Sequence, residues 1–98
     1  MVVDPALSYG AHFVLRVRGE SMDPEMKEGD LALVRRSASA EDGQVVIAHV
    51  DEDEATVKLF RRKGKKVWLE ASNPKFETIS GRPFKVVGRV VGLVRQFR

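Results

Sequence analysis

Cysteine is absent from this chain, which excludes disulfide frameworks, thiolate zinc sites and cysteine nucleophiles and suits a reducing compartment. Histidine is nearly absent: His12 and His49 each stand alone in a strand pattern, with no metal-ligating cluster around them. Aromatics interleaved with cations, the pattern of a single-stranded nucleic-acid surface, are limited to Trp68 beside Lys66. No uncharged run approaches the ~20 residues needed to cross a bilayer. The amino end, MVVDPALSYGAHFVL, has no basic segment before its apolar residues and carries Asp4, Pro5 and Gly10, so a signal peptide is not expected. The expected location is the cytoplasm, with no membrane partner.

What is present describes one small globular unit. Ninety-eight residues allow a single domain, 1–98, with a core just large enough for independent folding. Hydrophobic content of 43% and charged content of 32% exclude both a disordered chain and a membrane-embedded one. The net charge is +3, and much of the excess sits in RRKGKK, residues 61–66. A lone glycine among cations between two strand patterns reads as a hairpin tip facing water.

Alternation dominates the chain. In HFVLRVR (12–18), Phe13, Leu15 and Val17 share one face and His12, Arg16 and Arg18 the other, the period of a half-buried strand. LALVRR (31–36), QVVIAHV (44–50), EATVKLF (54–60) and KVWLEA (66–71) read the same way, with turns at 40–43, at 51–53 and around Gly64. One helical signal competes: Asp23 as cap, Pro24 at the first helical position and Gly29 as stop predict little more than one turn. Residues 72–83, SNPKFETISGRP, carry breakers and read as a loop. The fold expected is mainly β, a small compact barrel-like domain with one short helical turn.

The last segment, FKVVGRVVGLVRQF (84–97), is apolar on both faces. Strict alternation puts Phe84, Val86, Val90 and Val94 on one side and Val87, Val91, Leu93 and Phe97 on the other. Such a strand must be covered twice, either by a second subunit or by a bend that buries it within its own. Gly88 and Gly92 permit bulges or a close backbone approach.

GESMDPEMKEGD (19–30) sets Ser21 in a turn, and a serine hydroxyl is a weak nucleophile until a base takes its proton. Lone strand histidines are more often structural. Lys58 is the stronger candidate, because it lies between Thr56 and Phe60 on its strand, opposite the face of Ala55, Val57 and Leu59. An ordinary lysine is neutral roughly one time in a thousand at neutral pH, a cost of about 4 kcal/mol before chemistry begins. Burial disfavours the ammonium and moves that cost into the fold. A Ser-Lys pair is then a workable variant of the hydrolase constellation, with Thr56 near enough to orient the amine. A lysine whose stem reaches water is the competing reading.

Taken together, GESMDPEMKEGD, DGQVVIAHV, EATVKLF and the terminal GRVVGLVRQF resemble the carboxyl-terminal domain of LexA-type repressors, a serine peptidase family that includes the UmuD proteins and many phage repressors. The resemblance spans nearly the whole chain. It implies Ser21 of the Gly-Xaa-Ser-Met motif as nucleophile, Lys58 as general base and Thr56 as the residue holding that lysine. It also implies backbone amides around Ser21 as the oxyanion pocket, with Glu20 supplying one position and Met22 completing the motif. No cofactor and no metal are implied. The partners implied are a second copy in a homodimer, a RecA filament that stimulates self-cleavage, and a cleavage segment from the same or a second molecule. Direct DNA binding by this domain is not expected, and Val87, Val91, Leu93 and Phe97 are the candidate dimer face.

The chain departs from the family in places. It contains no Ala-Gly or Cys-Gly dipeptide, the usual scissile bond, and no helix-turn-helix pattern, so cleavage is expected only in trans. Leu59 stands where an arginine often follows the base. Within the resemblance, the branches are an SOS-response repressor, a UmuD-like accessory of translesion synthesis and a non-catalytic phage-repressor dimerisation module. Outside it, a type I signal peptidase would need a membrane anchor, and a small nucleic-acid-binding barrel would need more than Trp68.

Overall fold

A computed structural model describes residues 10–51 and 55–95. Six antiparallel strands form one sheet: β1 (Phe13–Arg16), β2 (Leu31–Arg36), β3 (Val45–Val50), β4 (Ala55–Lys63), β5 (Lys66–Glu70) and β6 (Phe84–Val94). Every strand expected from alternation forms, and β2 has the expected limits. The mainly β expectation therefore holds, and no helix occurs among the described residues. The expected helical turn is present as one bond, from the Met26 amide to the Met22 carbonyl at 2.9 Å. It goes no further because the next donor, the Lys27 amide, turns to the Asp30 carboxylate at 2.8 Å.

The strand order is β1-β2-β6-β3-β4-β5. Among the described residues β1 and β5 are the edges of the sheet, yet residues of β1 and β4 line one cleft, although three strands separate them in the sheet. The sheet is therefore strongly curled but unclosed. Its two faces bury separate clusters. Val17, Met22, Met26, Ala32, Val34 and Ile47 form one, and Val46, Ala48, Val50, Phe60, Leu69 and Val86 form the other. Adjacent β3 residues divide between the clusters, as strand alternation requires. Ile79, in the 72–83 segment, folds back to exchange both backbone hydrogen bonds with Leu69 and packs against the second cluster.

β6 is an interior strand, paired with β2 and β3. The strict alternation expected along it does not hold. The register skips Val91 opposite β2 and Val87 opposite β3, each next to a glycine, and a bulge exchanges the faces of the residues beyond it. Val86 consequently joins one cluster, whereas Val87 and Val90 pack against the other. Val87 is thus used inside the chain, while Leu93 remains 39% exposed. Phe97 and the 52–53 part of the second turn lie outside the described residues. Gly88 has a separate reason to be glycine: a Cβ there would stand 2.6 Å from Val34 Cγ1 and 3.2 Å from the Arg35 carbonyl oxygen.

The loop joining β1 to β2 is closed at its base. The Val17 amide donates to the Asp30 carbonyl at 2.8 Å, and the Gly29 amide to the Val17 carbonyl at 2.9 Å. Asp30 is buried and accepts from Arg95 Nε at 2.9 Å and Nη2 at 2.7 Å. The Arg95 guanidinium holds its carboxyl down to about 2, against the opposing effect of burial. A carboxyl depressed in the fold adds stability above its unfolded value near 3.8, and that stability is lost as pH falls through about 2. Asp30→Asn should therefore lower unfolding free energy in urea by about 2 kcal/mol at pH 7. The gap between parent and variant should close as the pH is taken down through 2.

Candidate active site

Ser21 sits in the closed loop, two residues beyond Gly19, whose φ of 76° suits glycine and turns the chain sharply as it leaves β1. The next residue, Met22, is 2% exposed and belongs to the first core cluster. Burying a side chain of this size stabilises by about 1.5–3 kcal/mol, so Met22 and Met26 act as two anchors that pin the loop. With Met22 drawn into the core, the neighbouring Ser21 side chain is left at the cleft wall.

β4 brings Lys58 to the same point. Its residue exposure is 8%, and Nζ lies 2.9 Å from Ser21 Oγ, 2.9 Å from Thr56 Oγ1 and 3.2 Å from the Val57 carbonyl oxygen. Burial pushes the amine below its ordinary value of 10.5, because a low-dielectric setting disfavours the ammonium. Among the described residues, no carboxylate is bonded to it in compensation. As a neutral amine, Lys58 has two N–H donors and one lone pair. The donors suit Thr56 Oγ1 and the Val57 carbonyl, leaving the lone pair for the Ser21 hydroxyl.

The pair opens onto a cleft of about 240 Å³ walled by Leu15–Arg18 on one side and Ala55–Val57 on the other. Both walls are strand edges. Among the described residues, β1 pairs only with β2, and β4 is joined by β5 only from Leu59 onward, so Ala55–Lys58 pair on the β3 side alone. An extended peptide could be received here by edge pairing.

Ser21, Lys58, Thr56 and Met22 are thus brought together. Glu20 is drawn in through its backbone: its carbonyl accepts from Asp23 N at 3.1 Å and from Asn73 Nδ2 at 3.1 Å. The Glu20 side chain is exposed beside a separate cleft shared with Gly19, Asp23, Lys27 and Glu28. His12 Nδ1 accepts the Arg36 amide at 3.0 Å, a structural role at the β1–β2 junction. Trp68 donates its indole N–H to Glu70 at 2.9 Å. Two residues escaped the sequence reading, which took 72–83 as a plain loop. The Asn73 amide donates to the Ser21 carbonyl at 2.9 Å, and the Ser72 hydroxyl reaches Met22 Sδ at 3.8 Å. The Asn73–Pro74 pair is a turn-initiating signal, although nothing in it names the serine as its contact.

A family model described as Peptidase S24-like matches residues 3–91, which include all of these positions.

The Lys58 environment carries its own pH signature. Because the folded amine titrates below 10.5, between those two values the unfolded chain binds more protons, so stability rises with pH there. Urea unfolding of the parent and of Lys58→Met from pH 7 to 10.5 should show the parent gaining on the variant as pH climbs. A constant difference would mean that Lys58 titrates normally.

Proposed function

The chain belongs to the Peptidase S24-like family, and on that premise we propose that it is the Ser-Lys endopeptidase domain of a LexA-like SOS-response repressor. The observation that carries this reading is a buried amine 2.9 Å from a serine hydroxyl, at the end of a cleft with two strand edges that are free among the described residues. The neutral Lys58 amine takes the Ser21 proton as Oγ attacks the peptide carbonyl carbon. A C–O bond forms, and the carbonyl π pair becomes the oxyanion. Collapse of this intermediate breaks the C–N bond, and the departing amine takes its proton from the Lys58 ammonium. Water then attacks the acyl-serine, again with Lys58 as base, and restores the hydroxyl. Fixed amide donors stabilise the oxyanion by ~3 kcal/mol each.

The substrate in this reading is an extended segment of a second molecule, bound between β1 and β4. A RecA filament acts by favouring the conformer in which that segment occupies the cleft, which requires different affinity for the two states. The domain works in the cytoplasm as a homodimer. Val91 and Leu93, at the carboxyl end of β6, are its contact residues, since Val87 already packs inside the chain.

Two measurements test this reading. Mixed with a full-length family member whose own serine is alanine, the chain should cleave it at a rate that climbs from neutral to alkaline pH. Ser21→Ala and Lys58→Ala should each slow cleavage by more than about 1000-fold; either variant cutting at the parent rate contradicts the assignment. In sedimentation at several concentrations, the parent should dimerise and Leu93→Glu should shift towards monomer. A parent that stays monomeric throughout removes the dimer.

A further inference from the structure

Asn73 makes an unusual pair of contacts. Its backbone amide donates to the Ser21 carbonyl at 2.9 Å, and its side-chain Nδ2 donates to the Glu20 carbonyl at 3.1 Å. One residue therefore holds two consecutive carbonyls, those on either side of the Ser21 Cα. Both peptide units are trans, as Asp23-Pro24 is the one cis bond among the described residues. In a planar trans peptide the N–H points opposite to the C=O. Two carbonyls converging on Asn73 consequently send two N–H groups, those of Ser21 and Met22, the opposite way. Successive amides turned to one side form a concavity that attracts negative charge. Ser21 and Met22 line the cleft and Asn73 does not, and among the described residues neither amide donates to another group.

We infer that Asn73 is the positioning residue of the oxyanion site, turning the Ser21 and Met22 amides, the latter in place of the Glu20 position that the resemblance implies, toward the carbonyl oxygen of a peptide in the cleft. It touches neither substrate nor proton. Its effect is to set the direction of the donors before the reaction begins, so that no reorganisation is needed as charge develops. Asn73 is itself held by its turn: its Oδ1 accepts the Lys75 amide at 3.0 Å and its carbonyl accepts the Phe76 amide at 3.1 Å. The Leu69–Ile79 bridge anchors the segment beyond.

This inference rests on the Ser21–Lys58 reading, and an alkyl fluorophosphonate tests the two separately. Ser21 Oγ attacks phosphorus, the P–O bond forms, the P–F bond breaks with loss of fluoride, and the hydroxyl proton passes to Lys58. Labelling of Ser21, followed by mass spectrometry against probe concentration and pH, gives a maximal rate, a half-saturating concentration and a pH midpoint. In Asn73→Ala the maximal rate should fall about 10- to 100-fold, with half-saturation and midpoint unchanged. Asn73→Ser can still cap its own turn but is too short to reach the Glu20 carbonyl; it should show the same loss and decides the matter if the alanine variant does not fold. Asn73 variants labelled as fast as the parent, or slowed only through half-saturation or a moved midpoint, overturn the role of Asn73 alone. A parent that takes no label at Ser21 overturns the dyad, and this inference with it.

Discussion

The contact between a desolvated lysine amine and a serine hydroxyl is the constraint around which this small domain is arranged. Water would stabilise the Lys58 ammonium, so the fold must keep water away while leaving Ser21 beside a cleft. Among the described residues it does so with three polar partners and no counter-charge: Ser21 Oγ, Thr56 Oγ1 and the Val57 carbonyl. A carboxylate at that point would favour the charged form and work against a base. Burying a lysine amine opposes folding, and the two hydrophobic clusters on either side of the curled sheet offset that cost. Cores of this kind leave small proteins only a few kcal/mol of net stability, which limits how many such groups a chain of this size can hold.

Holding the hydroxyl against the amine is a second problem, because Ser21 lies on a loop. The loop is tied down on several sides. Val17 and Asp30 close its base, Met22 and Met26 fill the first core cluster, and Arg95 grips Asp30 from beyond β6. Asn73 reaches it from the segment after β5. Residues far apart in the chain therefore converge on one turn, and the positions of Ser21 and its neighbouring amides follow from packing of the whole domain. Functional groups need this kind of support, since small displacements of a reacting atom are costly in rate.

Much of this was legible in the sequence, for identifiable reasons. Alternation marked the strands because one face of each is buried, and LALVRR was read to the residue. The position of Lys58 between Thr56 and Phe60 placed it on a face with a hydroxyl neighbour, and the resemblance to LexA-type domains paired it with Ser21. The order of strands was not legible, because β6 inserts between β2 and β3 through contacts distant along the chain. Nor were the faces of β6: its glycines signalled bulges, but whether a bulge forms depends on partners that a single strand does not reveal. Asn73 was missed for a related reason. Its turn chemistry is local, whereas its role depends on where a bridge between Leu69 and Ile79 delivers it.

The central claim is that burial holds the Lys58 amine below the ordinary lysine value, and the most direct measurement is its own titration. NMR of the intact chain with ¹⁵N-labelled lysine, followed through alkaline pH, reports each ammonium separately. The account predicts that the Lys58 signal titrates at clearly lower pH than those of the exposed lysines in the 61–66 hairpin, and that it is the one resonance lost in Lys58→Met. A Lys58 that titrates together with those surface lysines would contradict it.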